Sequence, residues 1–139
     1  MAKRRTREPV ATLSPASPCP CGLNAAYADC CGAFHAGRKT AATAEQLMRS
    51  RYSAFVAHDA TYLLQTWSTT TRPTTLRLDN TQWTGLEIVN TTNGTAFHTE
   101  GTVEFRAHYL HDGHPASQHE NSHFTREAGL WVYVAPLPQ

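Results

Sequence analysis

The chain has 139 residues, with 12 Lys+Arg against 11 Asp+Glu and a formal net charge of +1 at pH 7. That length holds one domain and a small appendage, and the charge balance excludes both a wholly basic nucleic-acid coat and an acidic, disordered chain. No run of about 18 apolar residues is present, so no membrane insertion is expected.

The chain opens Met1-Ala2-Lys3-Arg4-Arg5-Thr6-Arg7-Glu8-Pro9, which is charged and is not followed by the apolar stretch of a secretory signal. The expected location is therefore cytoplasmic. Residues 1–18 combine basic residues with Pro9, Pro15 and Pro18 and lack hydrophobic periodicity, so they are expected to be a disordered lead. Within it, Lys3, Arg4, Arg5 and Arg7 are candidate contacts for RNA or the ribosome, with a solvated tail as the plainer alternative.

All four cysteines follow at once: Cys19-Pro20-Cys21, eight residues, then Cys30-Cys31. Disulfides that staple a fold join distant segments, and a bond within either close pair would close a strained ring. Two close pairs separated by a short loop can instead surround one metal ion. Four thiolates fill the tetrahedral shell of zinc and leave no open position, so the expected cofactor is one structural zinc held by Cys19, Cys21, Cys30 and Cys31. An iron–sulfur cluster or bonds cross-pairing the two cysteine pairs are the alternatives. Pro20 restricts the backbone between the first two ligands and Gly22 frees it to turn afterwards. His35 could replace one thiolate, or be an ordinary helix-end residue. The module is assigned to residues 19–38.

Thr43-Ala44-Glu45-Gln46 has the form of a capping box. Met48, Tyr52, Phe55 and Val56 then recur at helical spacing, predicting an amphipathic helix over 44–57. Asp59 can cap a second helix, in which Ala60, Leu63, Leu64 and Trp67 form one apolar stripe. From Trp83 the period falls to two, with Leu86 and Ile88 on one face of a strand and Glu87 on the other. Asn93-Gly94 signals a hairpin, and Val103, Phe105, Ala107 and Tyr109 alternate cleanly with polar residues along a second strand. Asp112-Gly113 marks a turn into a third strand over 116–126, and Glu127-Ala128-Gly129 a turn into the last, Leu130 to Val134. Two helices followed by a four-stranded antiparallel meander make an α+β domain over 43–136.

Cys19-Pro20-Cys21-Gly22, Tyr27 and Cys30-Cys31 resemble the SEC-C motif of the preprotein translocase motor, whose zinc-binding tail contacts a chaperone and the ribosome. The helices and sheet are similar to the nuclear-transport-factor-two-like (NTF2-like) fold, in which helices close a curved sheet into a cone. Thr43 to Phe55, His119-Glu120-Asn121-Ser122-His123-Phe124 and Gly129 to Val134 resemble the YchJ-like bacterial family, which joins the two. By analogy, the resemblance implies an adaptor that docks a protein partner of the secretion or translation machinery. The loop Leu23-Asn24-Ala25-Ala26-Tyr27-Ala28-Asp29 lacks the serine, glycine and lysines common in the motif, so a basic docking surface does not carry over.

The alternative is a small-molecule-binding protein or an enzyme that uses the cone. Glu120, Ser122 and Phe124 share one strand face, so Glu120 points into the cone if Phe124 does. Arg49 and Arg51 lie about 200° apart around the first helix, so one of them is expected to face inward. Glu120 is then either half of an ion pair fixing helix to sheet or a general base. A filled cone favours the adaptor, and a polar cavity with converging titratable groups favours the ligand. Five histidines, His108, His111, His114, His119 and His123, cluster late in the chain. His119 and His123 are about 13 Å apart along a strand, too far to share an ion, while the other three could approach one another at the turn.

Overall fold

The computed structural model describes residues 13–138. Its elements in chain order are a 3-10 turn, Tyr27–Asp29, three helices and four strands. The helices are α1, Cys31–His35, α2, Ala44–Val56, and α3, Ala60–Gln65, and the strands are β1, Gln82–Asn93, β2, Glu100–His111, β3, His114–Glu127, and β4, Leu130–Pro136. The strands pair in sequence order, all antiparallel, as the expected meander.

Helix α2 starts as the sequence predicts. Thr43 Oγ1 accepts the Gln46 amide at 3.0 Å, but the Gln46 side chain reaches one residue further back, to the amide of Ala42 at 2.8 Å. Asp59 caps α3 through the Tyr62 amide at 3.0 Å. Helix α3 is shorter than the apolar stripe suggests. Trp67 lies beyond it and bridges in parallel to Tyr133, with Ser68 N–H donating to Tyr133 O and Tyr133 N–H donating to Thr66 O. This short pairing satisfies backbone groups on the outer edge of β4.

The α2 helix is not the one-sided amphipathic helix expected. Leu47, Met48, Ser50, Arg51, Tyr52, Ser53 and Ala54 are all buried, because the helix has neighbours on several sides. It packs on β1, β2 and β4, on α3, and on α1 of the cysteine module. Towards the sheet it completes a core of Leu47, Met48, Tyr52, Val103, Phe105, Phe124 and Trp131. A second cluster joins Ala54, Tyr62 and Leu63 to Phe55 and to Leu76 and Leu78 of the irregular segment before β1.

Asp112-Gly113 and Ala128-Gly129 form two-residue turns with both residues at positive φ, as hairpins of the primed type require. Asn93-Gly94 also has both φ positive, yet β2 begins only at Glu100, so the connection is a longer loop. The reason is packing. Gly94 O accepts the Ala44 amide at 2.9 Å, seating the start of α2 on the hairpin, and a Cβ on Gly101 would stand 2.4 Å from the Gly94 Cα. Irregular pairing at Trp83/Gly85, Ile88/Asn90 and His123/Phe124 bends the strands around the helix.

The cysteine module begins before residue 19, where the sequence placed its start. Pro18 pairs with Ala26, Tyr27 N–H donates to Ser17 O and Ala28 N–H donates to Pro15 O, so residues 15–18 belong to the cysteine module. Lys3, Arg4, Arg5 and Arg7 lie outside the described residues.

Candidate metal centre and cone cavity

The four sulfurs of Cys19, Cys21, Cys30 and Cys31 lie within 4.8 Å of one another, and none is in a disulfide. Gly22, at φ +92°, turns the chain after the first pair, and the 3-10 turn leads into the second. Four sulfurs around a tetrahedral ion with bonds of about 2.3 Å stand about 3.8 Å apart. The Cys21 and Cys30 sulfurs are 3.6 Å apart, so the cluster fits one small thiophilic cation. Cys19, Cys21 and Cys31 are buried and Cys30 is half-buried.

Without a cation, so many sulfurs cannot all ionise. The Cys21 and Cys31 thiols donate to Cys19 and pull it far below the ordinary thiol range, whereas Cys31, on the other side of that sharing, is pushed far up. Burial, followed by the neighbouring Cys21 and Cys19, pushes Cys30 up to about 12. A bound dication removes this conflict by taking all four as thiolates. Among the described residues this is the only cluster of three or more such ligands. His119 instead pairs with Glu104 at 2.6 Å, His123 with Glu100 at 3.0 Å, and His108 stands 3.6 Å from Glu87.

His35 is not a ligand here. Its Nε2 donates to Ser50 O at 2.8 Å, leaving Nδ1 to accept from the Tyr27 hydroxyl at 2.6 Å. Both ring nitrogens are thus occupied, and the residue ties the module to α2. The Cys19 sulfur lies 3.7 Å from Ser53 Oγ, and Cys31 Sγ lies 3.5 Å from Arg49 O. Arg49 faces the module. Its Nη1 donates to Cys21 O at 2.7 Å and its Nε to Glu45 at 3.0 Å, so it takes no part in the cone.

Arg51, two residues on, is the arginine that faces inward. Its residue is 4% exposed, and its guanidinium carbon lies 5.1 Å from the Trp67 ring centre and 4.8 Å from that of Tyr133. Nη1 donates to Leu63 O and Thr66 Oγ1, both at 2.7 Å. Burial pulls it down to about 10, so it stays charged at neutral pH. Glu120 and Ser122 also point inward, and Ser122 Oγ donates to Glu120 at 2.6 Å. The ion-pair reading of Glu120 holds for neither arginine: Arg49 pairs with Glu45, and no carboxylate among the described residues lies within 4.0 Å of the Arg51 guanidinium. The two charges face a shared cavity of about 260 Å³, otherwise walled largely by aromatic side chains including Tyr52, Trp67, Trp83 and Phe105. Wider space, about 460 Å³, lies between the segment leaving the module and the β3–β4 hairpin. Its Glu127 is tied to Ser68 and Thr69, and no buried charge faces it.

Sequence reasoning missed Ser50, Ser53 and Tyr27 as seam residues, and Trp67 and Tyr133 as cavity walls. The serines gave no signal, since small polar residues in a helix read as solvent-facing. Tyr133 alternates along its strand and could have been placed on the inner face.

A cysteine module seated on the first long helix of a cone-like α+β domain defines the class, a SEC-C motif joined to an NTF2-like domain. The SEC-C model matches residues 17–33, and the model of the middle NTF2-like domain of YchJ matches residues 43–136. The chain belongs to the YchJ-like family. It is 57% identical to a UPF0225 protein of Streptomyces coelicolor over 121 residues, 86% of this chain and 94% of the relative. A UPF0225 protein of Streptomyces avermitilis is 52% identical over 132 residues, 94% and 91% of the two chains. The solution structure of a SEC-C motif-containing protein from Rhodopseudomonas palustris superposes with a TM-score of 0.76 at 29% identity, covering 88% of this chain and 99% of that one. A crystal structure of another such protein, from Psychrobacter arcticus, gives 0.74 at 29% identity, covering 92% and 86%. No helix among the described residues is long and apolar enough to cross a membrane.

Proposed function

We propose that the chain is a small-molecule-binding protein whose ligand enters the cone, while a zinc ion in the cysteine module holds α2 in place as one wall. The observation that carries this reading is the cavity of about 260 Å³ into which Arg51, Glu120, Ser122 and Tyr133 converge. A filled cone would have favoured the adaptor. Concave, mostly apolar pockets with a few polar groups are the usual form of small-ligand sites.

Zinc is the ion best suited to four sulfur donors in a closed shell, where it shapes and does not react. Helix α2 links the two sites: Arg49 and Ser53 face the module and Arg51 and Tyr52 face the cavity. Four free thiols at such close quarters suit a reducing compartment, which supports a cytoplasmic location. The adaptor role draws on a smaller observation, Leu23 of the module loop, 47% exposed. Single exposed apolar side chains are ordinary on a protein surface, so the cavity reading is preferred.

A fragment screen followed by the three indole N–H signals tests it. Trp67 and Trp83 line the cavity and Trp131 does not. Binders are expected to move the first two and spare the third, and Ala107→Phe, which fills the cavity, is expected to abolish the response. Fragments that bind equally well to that variant would overturn the proposal.

A further inference from the structure

The two charges in the cone are served unequally. Glu120 already accepts hydrogen bonds from Ser122 Oγ at 2.6 Å and from Gln118 Nε2 and Tyr133 Oη, both at 3.4 Å. Arg51 uses only Nη1, on one carbonyl and one hydroxyl, both uncharged, out of five N–H donors. Its flanking rings, Trp67 and Tyr133, attract the cation through their faces but carry no charge to neutralise it. A charge buried this deeply is costly unless paired and hydrogen-bonded. The residue is 4% exposed, and among the described residues no carboxylate lies within 4.0 Å. What Arg51 lacks is an anion in contact, since Glu120 faces it only across the cavity, and planar acceptor groups suit the guanidinium fork best.

Resting on the cavity reading above, we infer that the ligand is a small aromatic carboxylate whose acid group pairs with Arg51 and whose ring stacks among Tyr52, Trp83 and Phe105. A volume of about 260 Å³ sets the size at one or two rings. Glu120, at the same cavity, repels that acid group. It acts as a selectivity element, excluding ligands with a second negative charge.

Titration of the intact, metal-loaded protein with matched probes tests this, read by the Trp67 and Trp83 indole N–H signals and by calorimetry. Benzoate and indole-3-carboxylate are expected to bind at least about tenfold more tightly than benzamide and indole-3-carboxamide, and benzylamine least of all. Glu120→Gln is expected to raise affinity for the acids severalfold relative to the amides. Acids and amides binding alike, or benzylamine binding best, would overturn the carboxylate inference and leave the cavity reading standing. If probes of every class, the neutral amides included, fail to move the cavity signals, both fall.

Discussion

Removing the metal is expected to melt the cysteine module and loosen α2 without unfolding the sheet. The module buries little beyond its own sulfurs: Cys19, Cys21, Cys31, Gly32 and Ala33 are its buried residues, and its helix is 5 residues long. Such a segment does not hold its shape without its ion. Two seam bonds go with it: Arg49 to Cys21 O at 2.7 Å and His35 to Ser50 O at 2.8 Å. A charged hydrogen bond contributes about 1.5–3 kcal/mol and a neutral one about 0.5–1.5, so the rest of the domain loses about 3 kcal/mol. For a domain near 100 residues that lowers Tm by about 12–24 °C. Calorimetry before and after chelation under reducing conditions measures the drop, and backbone amide spectra locate it. Signals of residues 17–35 should collapse while those of β2 and β3 persist. An unchanged Tm, or a module whose amide signals survive chelation, would refute the reasoning.

Three further perturbations probe the frame. Phe124→Ala removes a ring that is 0% exposed at the centre of the core, and chemical denaturation should show a loss of about 3–5 kcal/mol. Gly101→Ala puts a methyl 2.4 Å from the Gly94 Cα, so the loop that seats α2 must shift; a lower Tm and displaced Ala44 and Gly94 amide signals are expected. Glu127 is held below the ordinary carboxylate range, first by the Ser68 hydroxyl and then by the Thr69 amide. A lowered folded-state value means its contribution is full above the unfolded value near 4.5 and is lost as pH falls through the folded one. Wild type should therefore melt above Glu127→Gln at pH 7, with the gap closing below about pH 4.

Much of the fold was legible because its signals are local. The Thr43 and Asp59 caps, the change from helical to alternating periodicity, and the Asp-Gly and Ala-Gly turns are each decided by a few neighbouring residues. The cysteine spacing likewise named all four members of the cluster. What escaped depends on contacts across the chain. Nothing near Asn93-Gly94 says that the start of α2 will sit on it, and nothing near Trp67 says that it will pair with Tyr133 rather than extend a helix. Helical angle alone separated Arg49 from Arg51. Which of them faced the cone needed the module's position, since Arg49 is taken by Cys21 O. The ion-pair reading of Glu120 fails for a similar reason: Leu63, Thr66 and two aromatic rings claim the Arg51 side chain, and Ser122 claims the carboxylate.

The central claim is that four sulfurs near the start of the chain grip a single ion that shapes the molecule. Its most direct test is the metal content of reduced, purified protein, by elemental analysis alongside native mass spectrometry. The account predicts one zinc per chain, falling to none in a Cys30→Ser, Cys31→Ser double variant. Protein that is folded and free of metal, or that carries iron and inorganic sulfide in place of zinc, would contradict it.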